Sequence, residues 1–434
     1  MSQMAHPNPS ARGARTWHWR RATPVIAALV LLHPFPLASQ PRVEGEYGLR
    51  VSRSGGDLAV GWLTPSPARG VLEVVAAGRT IHRVETPVDF SHLATIPIPS
   101  SEDIVLHYGA STEAPLHITT IRLQEEGPPA AVLKGVDSLF VVGDVHGEYD
   151  RLIALLGNAG LVDRGGRWTG GRSHVVFLGD IFDRGSDVTR TLWFLYGLER
   201  EAETAGGGAH VVLGNHETMI FTHDLRYVTE KELLLASLHG VPYPELFDTR
   251  ESVLGRWLAD RPAVMWVDGV LLAHGGVAPS VLETSVEMLN DSIRAFLHDE
   301  IFYRWADSTV AVVTDRAAVP FLRDQYDEVI VTDSAALARR YELVFQEESV
   351  LWYRGYVNQD TLGPALDAVL ERFDAHLHVV GHTPLPSIEG RYEGRLVAVD
   401  LLEPATELLL LVRDASGGRH RSWRIGVEGP PEPL

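Results

Sequence analysis

The sequence predicts an α/β domain preceded by a small all-β sandwich domain, and three observations predict it. From Glu44 to about Gly127, short alternating runs (LRVSR, DLAVGWL, GVLEVVAA, TIHRVE, LATIPI, IVLHYGA and LHITTIRLQ) are punctuated at near-regular intervals by Gly, Pro, Ser and Asp. That pattern is the one expected of an antiparallel sandwich of roughly seven strands. After residue 132 the apolar runs alternate with helical stretches such as YDRLIALLGNAG, which puts Leu152, Leu155, Leu156 and Ala159 on one face; this is βα alternation. Between the two lies EEGPPAA (125–131), read as a linker because paired prolines continue neither a strand nor a helix.

The elements follow in order. Residues 1–39 carry the arginine-bearing RGARTWHWRR, then the short apolar PVIAALVLL closed by Pro34 and Pro36. This is the layout of a signal peptide, with cleavage expected near Ser39 and an exported, periplasmic or extracellular chain. Residues 44–127 form the accessory all-β domain, which contains no convergent set of reactive side chains. Residues 132–415 form the α/β domain, with mostly helical insertions at 218–262 and 279–350 that are candidates for a cap over its mouth. Residues 416–434 end in a Gly/Pro-rich tail, expected to fray.

Composition narrows the function. Hydrophobic residues are 45% and charged residues 22% of the 434, values that support a large core. The formal net charge is −19. A nucleic-acid partner held through its phosphates needs the opposite balance, and no Lys/Arg cluster follows residue 21 to hold a membrane surface once the signal is removed. Cysteine is absent, which excludes disulfides, thiolate zinc sites and cysteine nucleophiles together.

The chemistry lies where apolar runs stop. SLFVVGD ends at Asp144 with His146 two residues on, HVVFLGD at Asp180, AHVVLGN at Asn215, GVLLAHG at His274 and LHVVGHT at His382. Functional crevices of α/β sheets lie beyond the carboxyl ends of their strands, so neighbouring strands would bring these six side chains together. Asp, His and Asn without sulfur suit Mn, Fe or Zn. Six ligands exceed one open catalytic ion and match two that share a carboxylate, with Asp180 the natural bridge. Two ions roughly 3.5–4 Å apart can hold a hydroxide between them and clamp an in-line phosphoryl displacement.

GDVHGEYD, GDIFDRG, GNHE, AHGG and GHT, in this order, resemble the signature of the calcineurin-like metallophosphoesterases and, within them, the phosphoprotein phosphatase group. DLRYV (224–228) and LWYRGY (351–356) further resemble its bacterial, Shewanella-like branch. The resemblance spans about residues 132–412 and implies a β-sandwich of two mixed sheets flanked by helices. It also implies that Asp144, His146 and Asp180 hold one metal and Asp180, Asn215, His274 and His382 the other. Arg184 would bind phosphate oxygens through its guanidinium fork, with Arg354 a second candidate. His216 would protonate the leaving oxygen, oriented by Asp183. Many relatives outside the group end in GHxH, but here that position is Pro384, so the first metal keeps only three protein ligands.

The function this implies is a two-metal phosphomonoesterase, acting on a phosphorylated protein or a small phosphoester, with phosphotyrosine as a candidate. One rival is a phosphodiesterase or dinucleoside-polyphosphate hydrolase on the same core. The other is a secreted binding module whose metal-stabilised domain is inactive; intact Asn215, His216 and Arg184 speak against it.

Overall fold

The apolar runs that lead to Asp144, Asp180, Asn215, His274 and His382 are strands, but they belong to two sheets rather than one. The computed structural model of the chain describes residues 48–112, 116–123, 127–298, 343–413 and 420–434. The expected signal at 1–39 and most of the second helical insertion (299–342) lie outside the described residues.

The N-terminal part is one antiparallel sheet built from β1 (Arg50–Ser54), β2 (Asp57–Ala76), β3 (Arg79–Pro97), β4 (Asp103–Ala110) and β5 (His117–Arg122). The antiparallel β character holds, but the strands number five among the described residues rather than about seven. The difference lies in β2 and β3, of 20 and 19 residues. TPSP (64–67) reads as a break in sequence. In the structure it is a register shift between Leu63 and Ala68, a bulge through which pairing resumes on the far side.

The α/β part is a sandwich. One sheet runs β13 (Glu389–Arg391), β14 (Leu396–Ala398), β12 (Leu377–Val380), β11 (Val270–Ala273), β10 (Val264–Val267) and β6 (Val132–Leu133). The other runs β17 (Glu432–Pro433), β16 (His420–Gly426), β15 (Glu407–Arg413), β7 (Ser138–Val142), β8 (His174–Phe177) and β9 (Gly208–Val211). Both are mixed: β7, β8 and β9 are parallel and β15 runs against β7, while β11, β12 and β14 are parallel and β10 runs against β11. The described part of the expected tail, 420–434, therefore does not fray as expected. His420–Gly426 pairs with Glu407–Arg413 along its whole length, and Ile425 is buried.

Strand periodicity explains the layers. Leu139, Val141, Val176, Leu178 and Val212 of one sheet meet Met265, Val267, Leu272, Leu377 and Val379 of the other in a dry central core. The alternate residues Phe140, Val142, Val175 and Phe177 face outward into a second core, under α1 (Tyr149–Asn158) and α2 (Val188–Thr204). Continuous apolar strands are thus buried on both faces. Helix α3 (Asn215–Phe221) follows β9, and α4 (Glu230–Leu238), α5 (Val253–Ala259) and α6 (Val286–Leu297) occupy the helical insertions. Among the described residues, no helix is long and apolar enough to cross a membrane.

Val43–Leu434 forms one compact unit. The N-terminal sheet joins the sandwich through Trp193 Nε1, which donates to the Leu49 carbonyl at 2.8 Å, and through the Arg122 N–H, which donates to Tyr196 Oη at 3.0 Å. Its core residues Leu58, Trp62 and Ile121 share one apolar cluster with Trp193, Tyr196 and Trp257.

Candidate metal centre

The two halves of the sandwich present their parallel strand ends at one edge. Val142 pairs with Phe177, and Phe177 with Val211; in the other sheet Ala273 pairs with Val380, and Val380 with Ala398. The residues just beyond these pairs are the predicted ones. Asp144, His146, Asp180, Asn215, His274 and His382 are all buried to within 3% exposure and are brought together, which for charged and imidazole groups demands partners.

The turns that deliver them are strained. His146, Asp180, Asp183, Arg184 and His382 all have positive φ, between 47° and 71°. A non-glycine residue in that region costs energy, on the order of 1–3 kcal/mol, and persists where the surroundings over-determine it. Gly214 shows what the packing requires, because a Cβ there would collide with Asp180 Oδ1.

The donors and acceptors can be assigned from their partners. His274 Nδ1 donates to the Leu178 carbonyl at 2.6 Å, so in the neutral ring Nε2 carries a lone pair. His382 Nδ1 lies 3.5 Å from Arg354 Nη2, a group that only donates, so it too presents a lone pair. These two nitrogens are 3.1 Å apart, and His274 Nε2 is 3.0 Å from Asn215 Oδ1 and 3.3 Å from Asp180 Oδ2. Four electron-rich atoms at such spacing repel one another unless positive charge lies among them. Burial lowers the His274 pKa, yet the Asp180 and Asp144 carboxylates outweigh it and push it up to about 9. The pocket favours positive charge, either as a proton on His274 or as a cation held among these four atoms.

A second group adjoins the first. His146 Nδ1 donates to the Phe182 carbonyl at 2.8 Å, leaving the buried Nε2 lone pair with no hydrogen-bond partner. Burial pulls His146 down to about 4, so the ring is neutral. Burial and the neighbouring His274 take His382 down to about 2. His146, Asp180 and His216 offer ligand atoms within 4.8 Å of one another, as do Asp180, His274 and His382. Asp180 belongs to both groups. Asp144 lies between them, 3.8 Å from His146 Nε2 and from His274 Nδ1. Oxygen and nitrogen donors without sulfur are of the kind that could hold a divalent or transition cation.

Around this centre lie the remaining predicted residues. His216 Nδ1 donates to Asp183 Oδ2 at 2.5 Å, and both are buried. Burial lowers the His216 pKa, but Asp180 and then Asp183 raise it to about 8, so the ring is largely protonated at neutral pH. Arg184 Nη2 is 3.4 Å from His216 Nε2. Arg354 donates to the His382 carbonyl and lies 3.5 Å from Thr383 Oγ1, so its exposed guanidinium also borders the mouth.

Two residues at the site were missed in the sequence, and a third, in DLRYV, could on sequence alone either shape the pocket or cap a helix. Glu217 of GNHE is fully buried and accepts the backbone N–H groups of Asp180 (2.9 Å), Ile181 (2.7 Å) and Gly214 (2.7 Å), tying two ligand loops together. Asp400 ends the apolar run LVAVD beyond β14, is buried, and lies beside Asp144. It obeys the same strand-end rule that found the others. Tyr227 of DLRYV sits with its ring beside His216, at 5.5 Å between centroids.

Comparison with known proteins agrees with this geometry. A family model described as calcineurin-like phosphoesterase matches residues 138–386. Shewanella-like protein phosphatase 2 of Arabidopsis thaliana is 32% identical over 203 residues, covering 37% of this chain and 52% of that one. The chain thus spans about half the length of that curated relative. A symmetrical bis(5'-nucleosyl)-tetraphosphatase of Neisseria meningitidis is 28% identical over 174 residues, 38% of this chain and 53% of that protein. Among solved structures, a cold-active protein-tyrosine phosphatase of a psychrophilic Shewanella species superimposes with a TM-score of 0.64 at 26% identity, covering 89% of this chain and 98% of the other.

Proposed function

The chain belongs to the calcineurin-like phosphoesterase family, and from that premise we propose that it is a two-metal phosphomonoesterase acting on phosphorylated proteins, with phosphotyrosine the favoured residue. The observation that carries this reading is the set of four lone-pair atoms, on Asp180, Asn215, His274 and His382, held 3.0–3.3 Å from His274 Nε2 or including it. In this reading Asp144, His146 and Asp180 hold one cation and Asp180, Asn215, His274 and His382 the other. When bound, the pair supplies Lewis acidity, polarising phosphoryl oxygens and lowering the pKa of water.

The chain's own residues then divide the work. Arg184 and Arg354 border the same mouth, and their guanidinium forks neutralise the oxygens of the phosphoryl group. Asp183 accepts the Nδ1 proton of His216, which fixes the ring and turns Nε2 toward the site. From Nε2 a protonated His216 gives its proton to the departing oxygen. An alcohol or phenol leaves, and the buried Asp183 carboxylate keeps the ring in the productive tautomer throughout.

Phosphotyrosine is favoured because a structural neighbour that matches 89% of this chain is a protein-tyrosine phosphatase. A dinucleoside-polyphosphate substrate is the second reading, supported by the likeness to the Neisseria tetraphosphatase. Elemental analysis of the purified chain alongside a phosphoester panel tests both. The expected result is close to two transition ions per chain and faster turnover of phosphotyrosyl than phosphoseryl peptides. Asp180→Asn should lose metal and activity together. Turnover of a bis-ester with little on a monoester would select the second reading.

A further inference from the structure

DLRYV (224–228) follows α3, and its tyrosine stands at the candidate acid with nearly half of its surface open. Tyr227 is 44% exposed, whereas Tyr243 and Tyr356, which pack into the core, are 3% and 1% exposed. One exposed aromatic is ordinary by itself; what sets Tyr227 apart is its place beside the His216 ring. Its position is nevertheless fixed. The Tyr227 carbonyl accepts the Arg184 N–H at 2.9 Å. Asp224 holds the Arg226 guanidinium through Nε at 2.8 Å and Nη2 at 2.6 Å. Leu225 and Val228 on either side pack against the main core.

The ring faces the chemistry. Its centroid lies 5.5 Å from that of His216 with the planes tilted by 53°. The guanidinium carbons of Arg184 and Arg226 lie 5.9 Å and 5.6 Å from it. Arg184 therefore touches both this ring and, at 3.4 Å, His216 Nε2. The tyrosine, the proton donor and the phosphate-binding arginine form one contiguous rim.

We propose that Tyr227 is the shelf on which the leaving group lies, and that it gives the site a preference for aryl over alkyl phosphate monoesters. The proposal rests on the phosphomonoesterase reading. The leaving oxygen must reach His216 Nε2, so the first carbons bonded to that oxygen pass across the Tyr227 ring. A flat aryl group there gains an offset or edge-to-face contact with ring centroids about 4.5–7 Å apart, and a flexible alkyl chain gains less. The shelf acts through its ring and not its hydroxyl.

The test uses the full, metal-loaded chain and the variants Tyr227→Phe and Tyr227→Leu. Two readouts are taken: kcat/KM on phenyl phosphate and propyl phosphate, and calorimetric affinity for phenylphosphonate and propylphosphonate. The phosphonates bind without a leaving oxygen and report recognition apart from turnover. In Tyr227→Leu the aryl-to-alkyl ratio is expected to fall about 3- to 10-fold in both readouts, and in Tyr227→Phe to stay as in the parent. An equal loss on both substrates, or an unchanged ratio, overturns the proposal, since Tyr227 would then only position His216 and Arg184. A ratio lost equally in Tyr227→Phe also overturns it. A parent chain that discriminates the phosphonates but hydrolyses neither ester would sink the phosphomonoesterase reading and leave the shelf standing.

Discussion

At the scale of single residues, the site depends on groups that never touch a substrate. Glu217 spends both carboxylate oxygens on three backbone N–H groups from the turns that carry Asp180 and Asn215. Glu217→Gln replaces one acceptor oxygen with a donor, so at least one buried N–H loses its partner, at a cost of about 1–3 kcal/mol. The expected outcome is a lower Tm, together with weaker metal retention measured by dialysis and elemental analysis. Unchanged retention would show that the turns hold themselves. The ligands were legible because each closes an apolar run, a one-dimensional signal. Glu217 was not, since its partners are amides 3 and 36–37 positions away, and nothing in a sequence marks which carboxylate turns inward. Asp400 could have been found by the same strand-end rule, but no family motif drew attention to LVAVD.

At the scale of elements, strand identity was easier to read than strand partnership. The five apolar runs are strands as expected, yet nothing in VVF or VVG says which sheet a strand joins, and they divide between two. The tail was misread because DASGGRH and GPPEPL dominate its composition; the pairing run RSWRIG between them is short. The helical insertions contain a titrating group that their sequence does not reveal. Glu232 of α4 is 2% exposed, accepts from Thr189 Oγ1 at 2.6 Å and from the Thr189 N–H at 3.2 Å, and lies near Tyr243, Lys231 and Asp187. Burial raises its pKa from 4.5 to about 7. The folded chain therefore keeps this proton to higher pH than the unfolded chain, and the resulting stability, complete below 4.5, is lost as pH rises through about 7. Glu232→Gln should stabilise the protein at pH 8 by about 1–3 kcal/mol relative to the parent and shift nothing near pH 4. Urea unfolding at the two pH values measures it, and equal midpoints at pH 8 would rule it out.

At the scale of the whole molecule, the candidate ligands come from both sheets: Asp144, Asp180 and Asn215 follow strands of one, and His274 and His382 strands of the other. Cations bound there would cross-link the two layers at one edge. Ligands that bind only the folded state stabilise it by about 2.7 kcal/mol at a hundredfold excess over Kd. Chelation should accordingly lower the Tm of the parent by several degrees and leave Asp180→Asn nearly unmoved, as followed by calorimetry. A parent Tm indifferent to chelator would argue that the layers hold without the ions.

The union of Trp193 with Leu49 also has an implication for how the protein can be dissected. Helix α2 begins four residues after Arg184, and its opposite flank is roofed by the N-terminal sheet. Excising that sheet would strip the roof from Trp193, Tyr196 and Trp257 and leave an oily scar behind the very helix that follows the Arg184 turn. For anyone trimming the gene, residues 50–122 are a keystone and not a detachable ornament.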